Sequence, residues 1–144
     1  MLASCGLDGT VRLWDPATGT PQHTLARCGD SVVTVAFSPD GQQIAGGCDD
    51  TTVRLWDLAI GTPKHTLTGH VGGVNRVAFR PDGRRLASCG NGEAVRLWDP
   101  ESGTLERTLI GSTDYHYAVA FSPDGRLLAT CGSDMIVRVW PMEP

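Results

Sequence analysis

No apolar run in the chain approaches the roughly 20 residues that a membrane-spanning helix requires. The opening Met1-Leu2-Ala3-Ser4 lacks the basic and long apolar regions of a secretory signal. Together these absences predict a cytoplasmic protein with no membrane partner. A basic excess is missing too: 12 Lys and Arg stand against 16 Asp and Glu, for a formal charge of −4. Proteins that neutralise phosphates carry a basic patch or stripe, so nucleic acid is not an expected partner. There is no nucleophile elbow, phosphate loop, dinucleotide fingerprint or His-Glu helix motif. No catalytic residue is assigned, and the chain is not expected to be an enzyme. The four histidines, His23, His65, His70 and His116, fall in different repeats and strands. A zinc site needs three or four converging ligands, so neither metal nor cofactor is expected. Five cysteines is an odd number, and Cys5, Cys89 and Cys131 share one repeat position that Gly47 fills in the remaining copy. That distribution suits small buried strand residues and predicts free thiols rather than a disulfide framework.

What the chain does contain is a ruler. Thr52-Val53-Arg54-Leu55-Trp56-Asp57 recurs at Thr10 to Asp15, Ala94 to Asp99 and Ile136 to Pro141, placing Trp14, Trp56, Trp98 and Trp140 at a constant spacing of 42 residues. A fixed period of this length marks a repeat array. Within one copy, Val74 to Phe79 alternates as a strand and ends in the turn Arg80-Pro81-Asp82-Gly83. Arg85 to Cys89 follows as a second strand. Asn91-Gly92 reads as a hairpin dipeptide tolerant of positive φ, and Ala94 to Trp98 is a third strand. Leu105 to Leu109, short and charged, suits an outer edge. Four antiparallel strands repeated at this period compose a propeller blade. The 144 residues form a single all-β repeat domain, a partial β-propeller of four blades.

Gly69-His70, the Ser-Pro-Asp-Gly turns at Ser38 and Ser122, Leu86-Ala87-Ser88 and Trp56-Asp57 keep one phase in successive copies, and together they resemble the WD-repeat β-propellers. The resemblance covers essentially the whole chain. It implies a polar network joining the His of Gly-His, a Ser or Thr of the second strand, the Asp of the second turn and the Trp of the third strand. The corresponding residues are Ser4, Asp8 and Trp14; Asp50 and Trp56, with Cys28 and Gly46 at the other two places; His70, Ser88 and Trp98, with Gly92 in place of Asp; and Thr130, Asp134 and Trp140, with Ser112 in place of His. No copy is complete, which predicts modest stability.

Aligning the copies divides the chain into blades at about 1–26, 27–68, 69–110 and 111–144. The first lacks its inner strand and the last its outer strand, giving three, four, four and three strands. By the resemblance, this is the C-terminal part of a propeller or a truncation product, and two copies facing each other would make a ring of eight blades.

Arg12, Arg54, Arg96 and Arg138 lie two residues before each Trp, on the same strand face, where each can lie beside its own Trp or pair with a nearby carboxylate. Asp40, Asp82 and Asp124 recur in turns, where Asp bonds nearby backbone N–H groups without any catalytic role. Family members bind partners through one rim, which maps here to Ser31, Val33 and Asp49; Gly73, Asn75 and Asn91; and Tyr115, Tyr117 and Ser133. Both tyrosines of the chain sit in the fourth set. They read equally as interface residues or as space-filling beside a neighbouring blade. The resemblance implies a non-catalytic scaffold that binds protein partners or a second copy of itself. The alternatives are a structural remnant and a sensing module of a larger signalling ATPase or kinase.

Overall fold

A computed structural model describes residues 1–111 and 115–144. Ser112, at the His position of the fourth copy, lies outside the described residues. Fourteen strands form four antiparallel sheets, and no helix occurs among the described residues. Sheet 1 holds β1 (Leu2–Cys5), β2 (Val11–Trp14) and β3 (Pro21–Leu25). Sheet 2 holds β4 (Val32–Phe37), β5 (Gln43–Cys48), β6 (Val53–Asp57) and β7 (Thr62–Leu67). Sheet 3 holds β8 (Val74–Phe79), β9 (Leu86–Gly90), β10 (Ala94–Asp99) and β11 (Thr104–Ile110). Sheet 4 holds β12 (His116–Phe121), β13 (Leu127–Gly132) and β14 (Val137–Pro141). Each sheet is a simple meander, ordered in space as in sequence.

The turns explain the meander. Ser38 Oγ donates to Asp40 Oδ1 at 2.6 Å, and the Gln43 and Gln42 amides donate to Ser38 Oγ and Asp40 Oδ1. Gly41, Gly83 and Gly125 then adopt φ of 70°, 74° and 70°, the left-handed region that closes each reversal. Ser122 and Asp124 repeat the arrangement, whereas Arg80 replaces the serine in sheet 3.

The core is divided among the gaps between consecutive sheets. Val11 and Leu13 pack with Val32, Ile44 and Trp56. Val53 and Leu55 pack with Val74, Val77, Leu86 and Trp98, and Val95 and Leu97 with Val119, Leu128 and Trp140. The alternation of a strand makes this possible. In Val-Arg-Leu-Trp, Val and Leu point forward to the next sheet while Trp points back to the preceding one. Fully burying each such aliphatic side chain contributes about 1.5–3 kcal/mol, so the ruler motif fastens both neighbours of its sheet. Sheet 4 departs from this pattern: Val137 and Val139 are 68% and 59% exposed, although Val95 and Leu97 at the matching positions are fully buried.

The structure corrects two expectations. Cys28 and Cys48 form a disulfide with Cα atoms 6.5 Å apart, while Cys5, Cys89 and Cys131 are free. Folding lays the loop before β4 over the end of β5, bringing the two within the Cα spacing a bridge requires. Burial pushes the Cys89 thiol up to about 12. Gly92 is not among the left-handed residues; that conformation occurs at the matching turns in Gly9, Thr51 and Met135, with φ of 74°, 76° and 62°. Asp8, Asp50 and Asp134 each accept the amide of the residue following the left-handed one, which pins the turn. Without that carboxylate, Gly92 donates its amide to the Gly90 carbonyl instead.

Candidate functional site

Six of the nine rim residues are joined in pairs by the same main-chain bond. The amides of Asp49, Asn91 and Ser133 donate at 2.9 Å to the carbonyls of Ser31, Gly73 and Tyr115. Each bond fastens the start of a sheet's first strand to the turn leaving its second. The other three residues, Val33, Asn75 and Tyr117, sit at a register shift. Val32 pairs with Cys48 and Thr34 with Gly47, leaving Val33 between them without a partner in the ladder, and the same shift skips Asn75 and Tyr117. A bulge of this kind re-aims the side chain of its extra residue. Val33 and Tyr117 are accordingly 45% and 56% exposed, and Tyr115, just before the strand, is 53% exposed.

The rim is continuous from sheet 2 to sheet 4. A Cβ added at Gly73 would stand 3.3 Å from Asp49 Cα, so these two sheets approach closely there. Asn75 Nδ2 donates to Asn91 Oδ1 and to the His116 carbonyl, both at 2.9 Å, tying sheet 3 to sheet 4. Ser133 Oγ accepts the Tyr115 amide at 3.2 Å. Below this edge His116 is buried, with Nε2 3.3 Å from the Glu93 carbonyl.

Behind the rim stand the polar posts. In sheet 3, Trp98 Nε1 donates to Ser88 Oγ at 2.8 Å, and His70 Nε2 lies 2.7 Å from the same oxygen. Burial holds the His70 imidazole down at about 4, with the nearby Arg96 guanidinium adding to the effect. His70 is therefore neutral near pH 7. Because Arg96 Nη1 donates to its Nδ1 at 3.3 Å, the ring proton sits on Nε2 and is donated to Ser88. Trp14 and Trp140 donate to Ser4 and Thr130 at 2.8 and 3.1 Å. Sheet 2 has no hydroxyl there, since Gly46 lies against the Trp56 ring and the Cys28–Cys48 bridge joins the loop to the strand.

Asp8, Asp50 and Asp134 each pair with the arginine four residues on, at 2.8, 3.2 and 2.7 Å. The Thr10 hydroxyl and amide, with Arg12 and Arg27 nearby, hold the Asp8 carboxyl below its usual range. Asp50 also accepts the Gly29 amide at 3.2 Å, reaching the loop that carries Cys28. The bridge itself is not among the sequence-level candidates. The available signal was that Cys28 shares the repeat position of His70, the residue fastening that loop in sheet 3. Among the described residues, no group of three His, Cys, Asp or Glu is placed to hold a metal ion, and no helix is long and apolar enough to cross a membrane.

Sequence comparison places this geometry among known proteins. The family described as "WD domain, G-beta repeat" matches residues 1–15, 19–57, 61–99 and 103–141. The F-box-like/WD repeat-containing protein TBL1Y of Homo sapiens is 55% identical over 42 residues, 29% of this chain and 8% of that protein. Coronin-7 of Rattus norvegicus is 44% identical over 50 residues, 35% of this chain and 5% of that protein. Protein HIR1 of Kluyveromyces lactis is 39% identical over 66 residues, with 34% of this chain and 8% of that protein covered. The chain thus spans less than a tenth of these curated relatives. Four successive family matches, each ending at the strand that carries the Val-Arg-Leu-Trp or Val-Arg-Val-Trp run, cover nearly every residue, and the chain belongs to the WD40 repeat family.

Proposed function

We propose that this chain is a non-catalytic, cytoplasmic protein-interaction scaffold whose partner lies along the rim from Ser31 to Ser133. One observation carries the reading: an identical main-chain bond in three sheets presents different side chains, culminating in the half-exposed pair Tyr115 and Tyr117. Tyrosine suits such a place because its ring buries area while its hydroxyl keeps a polar contact. Affinity capture compares the wild-type chain with the double variant Tyr115→Ala/Tyr117→Ala. A partner retained by the first and weakened by about tenfold or more on the second, with an unchanged melting temperature, is the expected result. Equal capture by both, or loss of the fold, overturns the reading.

A second reading rests on the exposed Val137 and Val139. At the matching positions of the other sheets the same strand face is covered by the next sheet. The occupant proposed here is sheet 1 of a second copy, because closed symmetric assemblies are the common solution for a self-complementary surface. Light scattering should then give twice the 15.3 kDa chain mass. A monomer at all concentrations rules out this assembly.

A further inference from the structure

Three of the four ruler arginines meet a carboxylate, and the fourth does not. Arg12, Arg54 and Arg138 pair with the aspartate four residues earlier. For Arg96 that position is Gly92, and Arg96 has no ion pair among the described residues. Its hydrogen bond runs from Nη1 to His70, and its buried Nε has no partner. A guanidinium N–H facing away from water without an acceptor is an unusual arrangement. A cavity of about 490 Å³ opens beside it, lined in part by His70, Val71, Gly92, Glu93, Arg96 and Ile110.

We propose that this cavity is a recognition site for a carboxylate, supplied by an acidic side chain of a protein partner, which binds Arg96 in the place that Asp8, Asp50 and Asp134 take in the other sheets. A guanidinium is matched to a carboxylate through paired N–H donors, and a carboxylate in this place meets the terminal nitrogens, as Asp8, Asp50 and Asp134 do on Arg12, Arg54 and Arg138. His70 adds no competing charge, being neutral and already accepting from Arg96. The mouth narrows the choice of ligand. Val71 and Ile110 are exposed apolar residues at its edge, while Glu93 lines it with a negative charge. That combination favours a single acid flanked by apolar residues over a run of acids, which Glu93 would repel. Gly92 directly follows the rim residue Asn91, so a segment lying on the rim can reach both.

The proposal rests on the scaffold reading only for the source of the carboxylate, and its test needs no partner. The probe is the blocked amino acid N-acetyl-glutamate N-methylamide, titrated into the full chain while NMR follows Arg96 Nε–H and the Trp98 indole N–H. The expected result is a saturable shift in the millimolar range. The glutamine counterpart binds at least about tenfold more weakly, each tenfold corresponding to one ordinary step in affinity. Gly92→Asp places the carboxylate inside the protein and abolishes the response, and Arg96→Gln, which keeps a polar side chain but removes the charge, abolishes it as well. No saturable shift, an equal response to the glutamine probe, or a response surviving in whichever of the two variants folds overturns the proposal. The rim variant Tyr115→Ala/Tyr117→Ala keeps the glutamate response, so a failed partner capture and a failed carboxylate site give different patterns.

Discussion

Sheets 2 and 3 fasten the same loop to the same strand by unlike means. In sheet 3 the loop before β8 is held by His70 and Trp98 converging on Ser88 Oγ. In sheet 2 the loop before β4 is held by a covalent bond from Cys28 to Cys48. The hydrogen-bonded post stabilises the folded state directly, because breaking it strands buried donors. The disulfide acts largely by restricting the unfolded chain. Each solution has adapted its surroundings. A Cβ at Gly46 would come within 2.9 Å of the Trp56 ring, so sheet 2 lets its tryptophan settle into space that Ser88 occupies in sheet 3. What the repeat preserves is the place of the fastening, and its chemistry varies. The two halves of the molecule are thus sensitive to different conditions: sheet 2 to reductant and sheet 3 to acid.

The largest expected effect is from Ser88→Ala. It leaves the N–H groups of both His70 and Trp98 buried without an acceptor and should cost about 4 kcal/mol in urea unfolding, at 1–3 kcal/mol for each orphaned donor. Cys48→Ser, or reductant on the wild type, opens a loop with a sequence separation of 20 and should cost about 3 kcal/mol. The two effects should not add, and a wild type indifferent to reductant would break the comparison. Acid should act on sheet 3 with similar strength. His70 titrates at about 4 in the fold against the ordinary 6.5, so the unfolded chain takes up a proton first as pH falls. Stability is unaffected above pH 6.5, falls through the window down to 4, and the loss reaches about 3 kcal/mol below it. His70→Gln should flatten that part of the stability curve, and an unchanged slope would assign the acid sensitivity elsewhere. The smallest effect is expected from Gly46→Ser. Importing the hydroxyl without the surrounding space should destabilise sheet 2 by about 2 kcal/mol, as overpacking does. A stabilised variant would show that the Trp56 ring gives way freely.

Much of this fold can be read from the ruler motif alone. Spacing and alternation at Trp14, Trp56, Trp98 and Trp140 place the matching strand of each sheet, and the Pro-Asp-Gly turns place the first reversal of sheets 2 to 4. The pairing of Arg with Asp was open in the sequence as one of two arrangements, and the structure shows the ion pair in three sheets. The disulfide could not be read in this way, because repeat comparison sets Cys28 opposite a histidine and Cys48 opposite glycines, so no copy offers a precedent for the pair. Gly92 misleads for a related reason. Asn-Gly carries a hairpin signal in isolation, yet the matching turns are set by an aspartate accepting the amide two residues on, as Asp50 does from Thr52 beyond the left-handed Thr51. The rim residues could be located by resemblance, but not the register shift that frees Val33, Asn75 and Tyr117 from the ladder. A bulge depends on two strands at once, and neither strand's own periodicity reveals it.

That register shift separates grammar from vocabulary. A residue outside the ladder contributes no cross-strand bond, and at Val33 and Tyr117 its side chain faces outward, so exchanging it leaves the pairing of β4 with β5 or β12 with β13 in place. Sheets 2 and 4 each hold one such slot at the same height of the same edge, whereas Asn75 in the matching slot of sheet 3 is tied to Asn91 and His116. At those two slots a letter can therefore be rewritten while every rule that folds the array stays in force.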